Sequence, residues 1–291
     1  MCDRDHFDDD LQKYLARGAV TRRQFGAMVG AGMVMLLPRV ANAVDVTESD
    51  VDVRTPDGVA DCYFVHPQTG TAPAVLMWPD ILGLRPAFRQ MGKRLAESGY
   101  AVLVVNPFYR QHRGAVVRPG QTFDDPEVRK MVFPLAQGLS STTHTTDARA
   151  FVAWLDTQRP VNRNRGVGTL GYCMSGPIAL RTAAAVADRV RAAASFHGGG
   201  LVTNGADSPH LQAAGSRAQL LIAIAENDDE RAPNEKQVLR ETFAKAKVPA
   251  EIEVYAGAAH GWCPPDTPIY NEAQAERAWS RLLAMFEKAL A

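Results

Sequence analysis

An excess of charge of either sign is missing from this sequence: Lys plus Arg and Asp plus Glu each total 32 over 291 residues, so the formal net charge is zero. Without a basic surplus there is no electrostatic footprint for nucleic acid or an anionic membrane surface, and small neutral molecules become the default partners. Also missing is an apolar run long enough to cross a bilayer; the N-terminal candidate covers about a dozen residues where roughly 20 are needed. No Walker motif occurs, repeats and low-complexity tracts are lacking, and no cofactor is implied. Cysteine is scarce, with four in all, at positions 2, 62, 173 and 263.

The first residues carry a pattern of their own. In "VTRRQFGAMVGAGMVMLLPRVANA", Arg22-Arg23 is followed by Phe25, a mildly apolar run to Leu37, and Ala41-Asn42-Ala43 as a small-residue cleavage site. This resembles a bacterial twin-arginine export signal, so residues 1–43 are expected to engage the export machinery and be removed after Ala43. A single domain, residues 44–291, would then reach the periplasm or beyond, with no membrane span. Three cysteines remain, an odd number. A disulfide between Cys62 and Cys263 is open in an oxidising compartment, and Cys173 is the candidate free thiol.

Cys173 stands in "GYCMSG", directly after the apolar "GVGTL" and before "PIALRTAAAVA". Free cysteine is often just a small buried hydrophobe. A strand that turns at once into a helix, with one side chain held out at the apex, instead needs very small neighbours; that is the nucleophile elbow. Gly171 before the thiol, Ser175 after it and Gly176 beyond fit that demand.

The rest of the chain alternates strands with helices. "VDVRTPDGVADCYFVHP" reads as two short strands turning at Pro56-Asp57-Gly58, and "APAVLMW" and "AVLVVNP" as strands buried on both faces, separated by a helix opening near Pro86 and ending by Gly99. Phe108 to about Ser141 has no clear period and reads as a lid or helical insertion. Later helices are expected around "TTDARAFVAWLDTQ", after Cys173, from about Asn234 to Lys247 and from about Asn271; strands end at Cys173, "RAAASF", "AQLLIAIA" and "EIEVY". Such alternation predicts an α/β fold, a mostly parallel sheet with helices on both faces, and ligands bound beyond the carboxyl ends of its strands.

A thiol needs a base or cation to become a strong nucleophile at neutral pH. His260, in "YAGAAHGW", follows the strand "EIEVY" and reaches the same sheet edge. An acid to orient it is available in "IAENDDERAP", where Asp228 and Asp229 follow "AQLLIAIA"; Asp228 comes first and is preferred. The chain order Cys173, Asp228, His260 is the nucleophile, acid, histidine order of the α/β-hydrolase fold.

With these residues in place, the sequence resembles the dienelactone hydrolase family over nearly the whole mature chain. "GYCMSG" is similar to the family's G-x-C-x-G-G, "ENDDERAP" to its acid loop and "AGAAHGW" to its histidine loop, in which Trp262 is implied as a substrate-binding or thiol-modulating residue. The resemblance implies a carboxymethylenebutenolidase-like hydrolase acting on a small ester or lactone through an acyl-cysteine. It further implies an oxyanion hole of two backbone N–H groups, here Met174 and Ile81, the latter in "WPDILGL". By the same resemblance Asp80 takes the place of the family's thiol-modulating glutamate, one methylene longer, and Arg110 in "NPFYRQ" that of an arginine gripping a substrate carboxylate. A second arginine, expected after His260, is absent from "GWCPP". These departures keep open a non-catalytic small-molecule-binding protein, and an exposed, activated Cys173 in the periplasm keeps open a redox-responsive thiol protein in which it oxidises.

Two further patterns carry less. "HGGG" at His197–Gly200 looks like a lipase oxyanion motif but lies downstream of the nucleophile, and reads as a strand-to-loop turn near the site. His260 and Cys263 are two residues where a zinc site needs more, so no metal is expected.

Overall fold

A computed structural model of the protein describes residues 37–291. Arg22, Arg23 and the export signal up to Leu36 lie outside the described residues. Two ten-residue strands, β1 (Val46–Thr55) and β2 (Gly58–Pro67), form an antiparallel hairpin around Pro56-Asp57, longer than the two short strands expected. Then follow β3 (Ala74–Trp78), α1 (Pro86–Glu97), β4 (Ala101–Val105), α2 (Pro126–Gln137), α3 (Ser141–Leu155) and β5 (Val167–Tyr172). A one-turn 3-10 helix (Cys173–Ser175) leads into α4 (Gly176–Ala185), β6 (Val190–Phe196), α5 (Pro209–Ala213) and β7 (Gln219–Ala225). The chain closes with α6 (Glu226–Arg231), α7 (Glu235–Ala246), β8 (Ala250–Tyr255) and α8 (Glu272–Ala289).

The eight strands lie in the order β1-β2-β4-β3-β5-β6-β7-β8. β2 runs antiparallel to β1 and β4, and the pairings from β4 through β8 are parallel. This is the mostly parallel sheet expected of an α/β hydrolase. The chain leaves β3 for β4 on one side and returns as β5 on the other, so the switch point lies at the carboxyl ends of β3 and β5. That is where an open α/β sheet binds ligands, and Ile81 and Cys173 follow those two strands.

Helices cover both faces, which is why the central strands are apolar throughout. One core layer packs Phe151, Leu155, Ile178, Leu180, Leu239 and Phe243 beneath α3, α4 and α7; the other packs Phe88, Met91, Leu95, Leu282 and Phe286 beneath α1 and α8. Cys62 belongs to the first layer and Cys263 to the second, and both are free, buried thiols. The sheet stands between them, which rules out the disulfide left open by the sequence. Burial pushes both thiols up, so neither is a thiolate at neutral pH.

Gly166, Gly168 and Gly171 have the spacing of a dinucleotide fingerprint, but Gly168 and Gly171 lie inside β5 instead of in a strand-to-helix turn. Gly168 is there for packing: a Cβ would come within 3.0 Å of the Phe286 ring. The irregular stretch after Phe108 contains α2, which Asp125 caps by accepting the N–H of Glu127. Among the described residues no helix is long and apolar enough to cross a membrane.

Candidate active site

The turn out of β5 is built around a conformation that side chains avoid. Cys173 has φ +54°, in the left-handed region, and is only 5% exposed. Its neighbours show why the sequence is glycine-rich. A Cβ on Gly171 would lie 2.0 Å from the Ser175 carbonyl oxygen, and one on Gly176 would lie 2.3 Å from Ser195 Oγ and 2.7 Å from the Gly198 Cα. The strain at Cys173 is held by surrounding packing, as backbone outliers at functional sites generally are.

Three sequence-distant residues meet here. His260 Nε2 is 3.1 Å from Cys173 Sγ, and His260 Nδ1 is 2.7 Å from Asp228 Oδ2. With Nδ1–H donated to the carboxylate, Nε2 faces the thiol as a proton acceptor. Asn227 fixes the histidine further, its Oδ1 accepting the His260 backbone N–H at 2.9 Å. Asp228 sits in the short helix α6 instead of the open loop expected from "ENDDER", and its Oδ1 also accepts from Arg231 at 3.2 Å. Asp229 is drawn away by Lys236, which pairs with both its oxygens at 2.6 Å. Burial beside Asp228 pushes the Glu235 carboxyl up to about 7, which limits negative charge around the acid.

Ile81 lies in the turn after β3 and Met174 in the first turn after Cys173, where helical N–H groups have no internal acceptor. The neighbouring Leu82 N–H is taken by Asp80 Oδ1 at 2.9 Å and that of Gly83 by the Asp80 carbonyl. Ser175, fully buried, donates its hydroxyl to the Pro79 carbonyl at 2.5 Å, a tie between the two segments that carry Met174 and Ile81. Side chains of Ile81 and Met174 enter one apolar cluster with Phe108, Val117, Phe123 and Phe133. The insertion after β4 thus supplies an apolar wall beside the thiol.

The remaining expected site residues are placed differently. Both oxygens of Asp80 are gripped by Arg85, at 2.6 and 3.0 Å, and Arg85 reaches on to Asp266 at 2.6 and 2.9 Å. One methylene shorter than glutamate, Asp80 is spent on shaping its own loop and joining it to the segment after His260. Arg110 likewise forks between Asp57 and Asp147, with contacts of 2.6 to 3.0 Å, and its charge is matched by two carboxylates. Trp262 is completely buried, stacked on Tyr255 and edge-on to His197. It backs the site and has no surface to offer a substrate.

Sequence reasoning passed over His197, Arg85, Asp266 and Asn227. His197 was visible in "HGGG", but nothing in spacing tells that its Nδ1 lies 3.1 Å from the Cys173 backbone N–H. Among the described residues no group of three or more His, Cys, Asp or Glu side chains is arranged to hold a metal ion.

Comparisons with known proteins place the chain in a family. A carboxymethylenebutenolidase from Rhodococcus opacus is 28% identical over 244 residues, covering 81% of this chain and 90% of its own. Similar solved structures include a dienelactone hydrolase candidate from Klebsiella pneumoniae (TM-score 0.72, 22% identity, 84% of this chain and 99% of that one). Another is the dienelactone hydrolase-like promiscuous phosphotriesterase P91 from metagenomic libraries (TM-score 0.68, 22% identity, 84% and 99%). At such identity the structural likeness speaks for the fold alone. The family model for dienelactone hydrolases matches residues 60–290, from β2 through α8, and the chain therefore belongs to the dienelactone hydrolase family.

Proposed function

We propose that this hydrolase cleaves an ester or lactone bond of a small molecule through an acyl-cysteine formed on Cys173. The observation that carries the reading is the unbroken contact from Cys173 Sγ through His260 to Asp228, at 3.1 and 2.7 Å. His260 takes the thiol proton, the sulfur forms a bond to the carbonyl carbon, and the carbonyl electron pair moves onto oxygen. Backbone N–H groups of Ile81 and Met174 donate to that oxyanion; a fixed donor of this kind is worth roughly 3–4 kcal/mol. The intermediate collapses, the C–O bond breaks, and the leaving alkoxide takes the proton from His260 Nε2. Water, deprotonated by the same nitrogen, then attacks the thioester and the thiolate departs with the acid released. Asp228 holds the imidazole tautomer throughout and stabilises the imidazolium.

The wall of Phe123, Phe133, Ile81 and Met174 side chains suits an apolar acyl or alkyl group, and Arg85 and Arg110 already carry carboxylate partners. A neutral substrate fits better than the anion that a free arginine at 110 would have gripped. A redox switch that closes an internal disulfide would need Cys62 or Cys263, and each is buried in its own core layer. Export through the Arg22-Arg23 signal is part of the proposal and rests on the sequence pattern.

Intact-protein mass spectrometry during hydrolysis of p-nitrophenyl acetate tests the reading. Turnover with an acetyl adduct on Cys173, and neither in Cys173→Ala, is the expected result. An alanine variant that still turns over would refute the assignment.

A further inference from the structure

The turn that begins with "HGGG" is attached to the nucleophile residue at both of its backbone polar groups. Cys173 donates its N–H to His197 Nδ1 at 3.1 Å, and its carbonyl accepts from the Gly199 N–H at 3.4 Å. Both turns are contorted in the same sense: Cys173 has φ +54° and His197 φ +41°. They meet glycine against glycine, since a Cβ on Gly198 would stand 3.1 Å from the Gly176 Cα and one on Gly176 would stand 2.7 Å from the Gly198 Cα. Glycines in "HGGG" therefore serve close approach to the elbow, as glycines commonly do where two backbones touch.

His197 itself is immobilised. Its backbone N–H is held by the Ala223 carbonyl within β7, and its ring is completely buried. His260 and Trp262 lie edge-on to it, each at 5.1 Å between ring centroids. Because Nδ1 accepts from the backbone, the ring proton sits on Nε2, the neutral tautomer. Burial and the neighbouring His260 push His197 well below the ordinary histidine range, in the direction that keeps this acceptor. Its consequence for the chemistry is specific. The Cys173 N–H is already used, which leaves the next amide, Met174, to face the oxyanion together with Ile81.

We infer that His197 is a positioning residue, a neutral acceptor that with Gly199 locks the strained Cys173 backbone and thereby aims both the thiol at His260 and the Met174 N–H at the oxyanion. The inference rests on the hydrolase reading above only for its kinetic readout. Asparagine and leucine are nearly the same shape, and asparagine alone retains an acceptor at the δ position. A purely structural role would rank the two variants by stability; a positioning role ranks them by acceptor.

The experiment compares His197→Asn and His197→Leu in the full chain. It measures kcat and KM for p-nitrophenyl acetate, thermal midpoints, and the rate of Cys173 alkylation by iodoacetamide at pH 7. Displacement of a reacting group by about 1 Å costs on the order of 100-fold, so His197→Leu is expected to lose about 10- to 100-fold in kcat with KM nearly unchanged, and His197→Asn to regain most of it whatever the order of the midpoints. A folded leucine variant within twofold of wild-type kcat, or an asparagine variant as impaired as the leucine one, overturns the inference. If neither folds, His197→Phe, which keeps a ring against Trp262 without an acceptor, is read alone, and retained kcat overturns it. If wild type is alkylated at Cys173 but hydrolyses nothing, the hydrolase reading fails separately. The alkylation rates of the two variants then decide His197, with equal rates overturning the inference.

Discussion

Gly171→Ala places the sharpest demand on the elbow. The new methyl carbon would lie 2.0 Å from the Ser175 carbonyl oxygen and 2.5 Å from its carbonyl carbon, so about 1.4 Å of movement is needed to reach the 3.4 Å of ordinary contact. The obstacle is backbone, with no flexible side-chain end to swing aside. Moving it drags Met174 and the Ser175 hydroxyl that is anchored on the Pro79 carbonyl. Overpacking of this kind costs about 1–3 kcal/mol, and a shift near 1 Å at the reacting groups costs on the order of 100-fold in rate. Gly70→Ala is the control: Gly70 has positive φ, at +77°, but a Cβ there meets nothing within 4 Å. Its expected penalty is backbone strain alone, about 1–2 kcal/mol, with kcat intact. Steady-state hydrolysis of p-nitrophenyl acetate and urea unfolding of the two variants provide the comparison. A Gly171→Ala enzyme with kcat within twofold of wild type would refute the reasoning, whatever its stability.

Asp228→Asn should lower kcat by about 10³- to 10⁴-fold with little change in KM, because an amide cannot hold the Nδ1–H tautomer of His260; stopped-flow acylation rates would show it. Burial lowers His144 to about 3 from the ordinary 6.5, so between those values the unfolded chain binds the proton and the folded chain does not. Stability from this group is therefore lost as pH falls below 6.5, by about 2 kcal/mol at pH 5, and the urea midpoint of His144→Asn should fall less steeply from pH 7 to 5 than that of wild type. Phenyl acetate should be cleaved with a higher kcat/KM than an ester of the same leaving group whose acyl chain ends in a carboxylate; the opposite order would show that Arg110 or another cation is free to bind anions. Mass spectrometry of the protein recovered from the periplasm of an expressing bacterium should place its N-terminus at Val44, and a retained Met1 would rule out cleavage.

Part of this protein is written locally. That Cys173, Asp228 and His260 would come together could be read from the sequence because each follows a recognisable apolar strand, and in a parallel sheet successive strands deliver such residues to one edge. The glycines around the thiol were legible for a related reason: the chain doubles back so tightly that a Cβ on Gly171 would lie 2.0 Å from a neighbouring carbonyl oxygen. Contacts between side chains and remote backbone were not legible. Asp80 and Arg110 occupy their expected stations after β3 and β4, yet Arg85, Asp266, Asp57 and Asp147 engage them first, and ion-pair choice depends on which charges folding brings within a few ångströms. Trp262 sits beside His260 in sequence and still turns into the core, where it meets Tyr255. His197 is 24 residues from Cys173, whose backbone N–H it accepts. Strand and helix periodicity, being a property of neighbours along the chain, determined the sheet and the order in which Cys173, Asp228 and His260 reach its edge; the loop paths beyond the strand ends, which obey no period, decided which charges are neutralised and which histidine meets the Cys173 backbone.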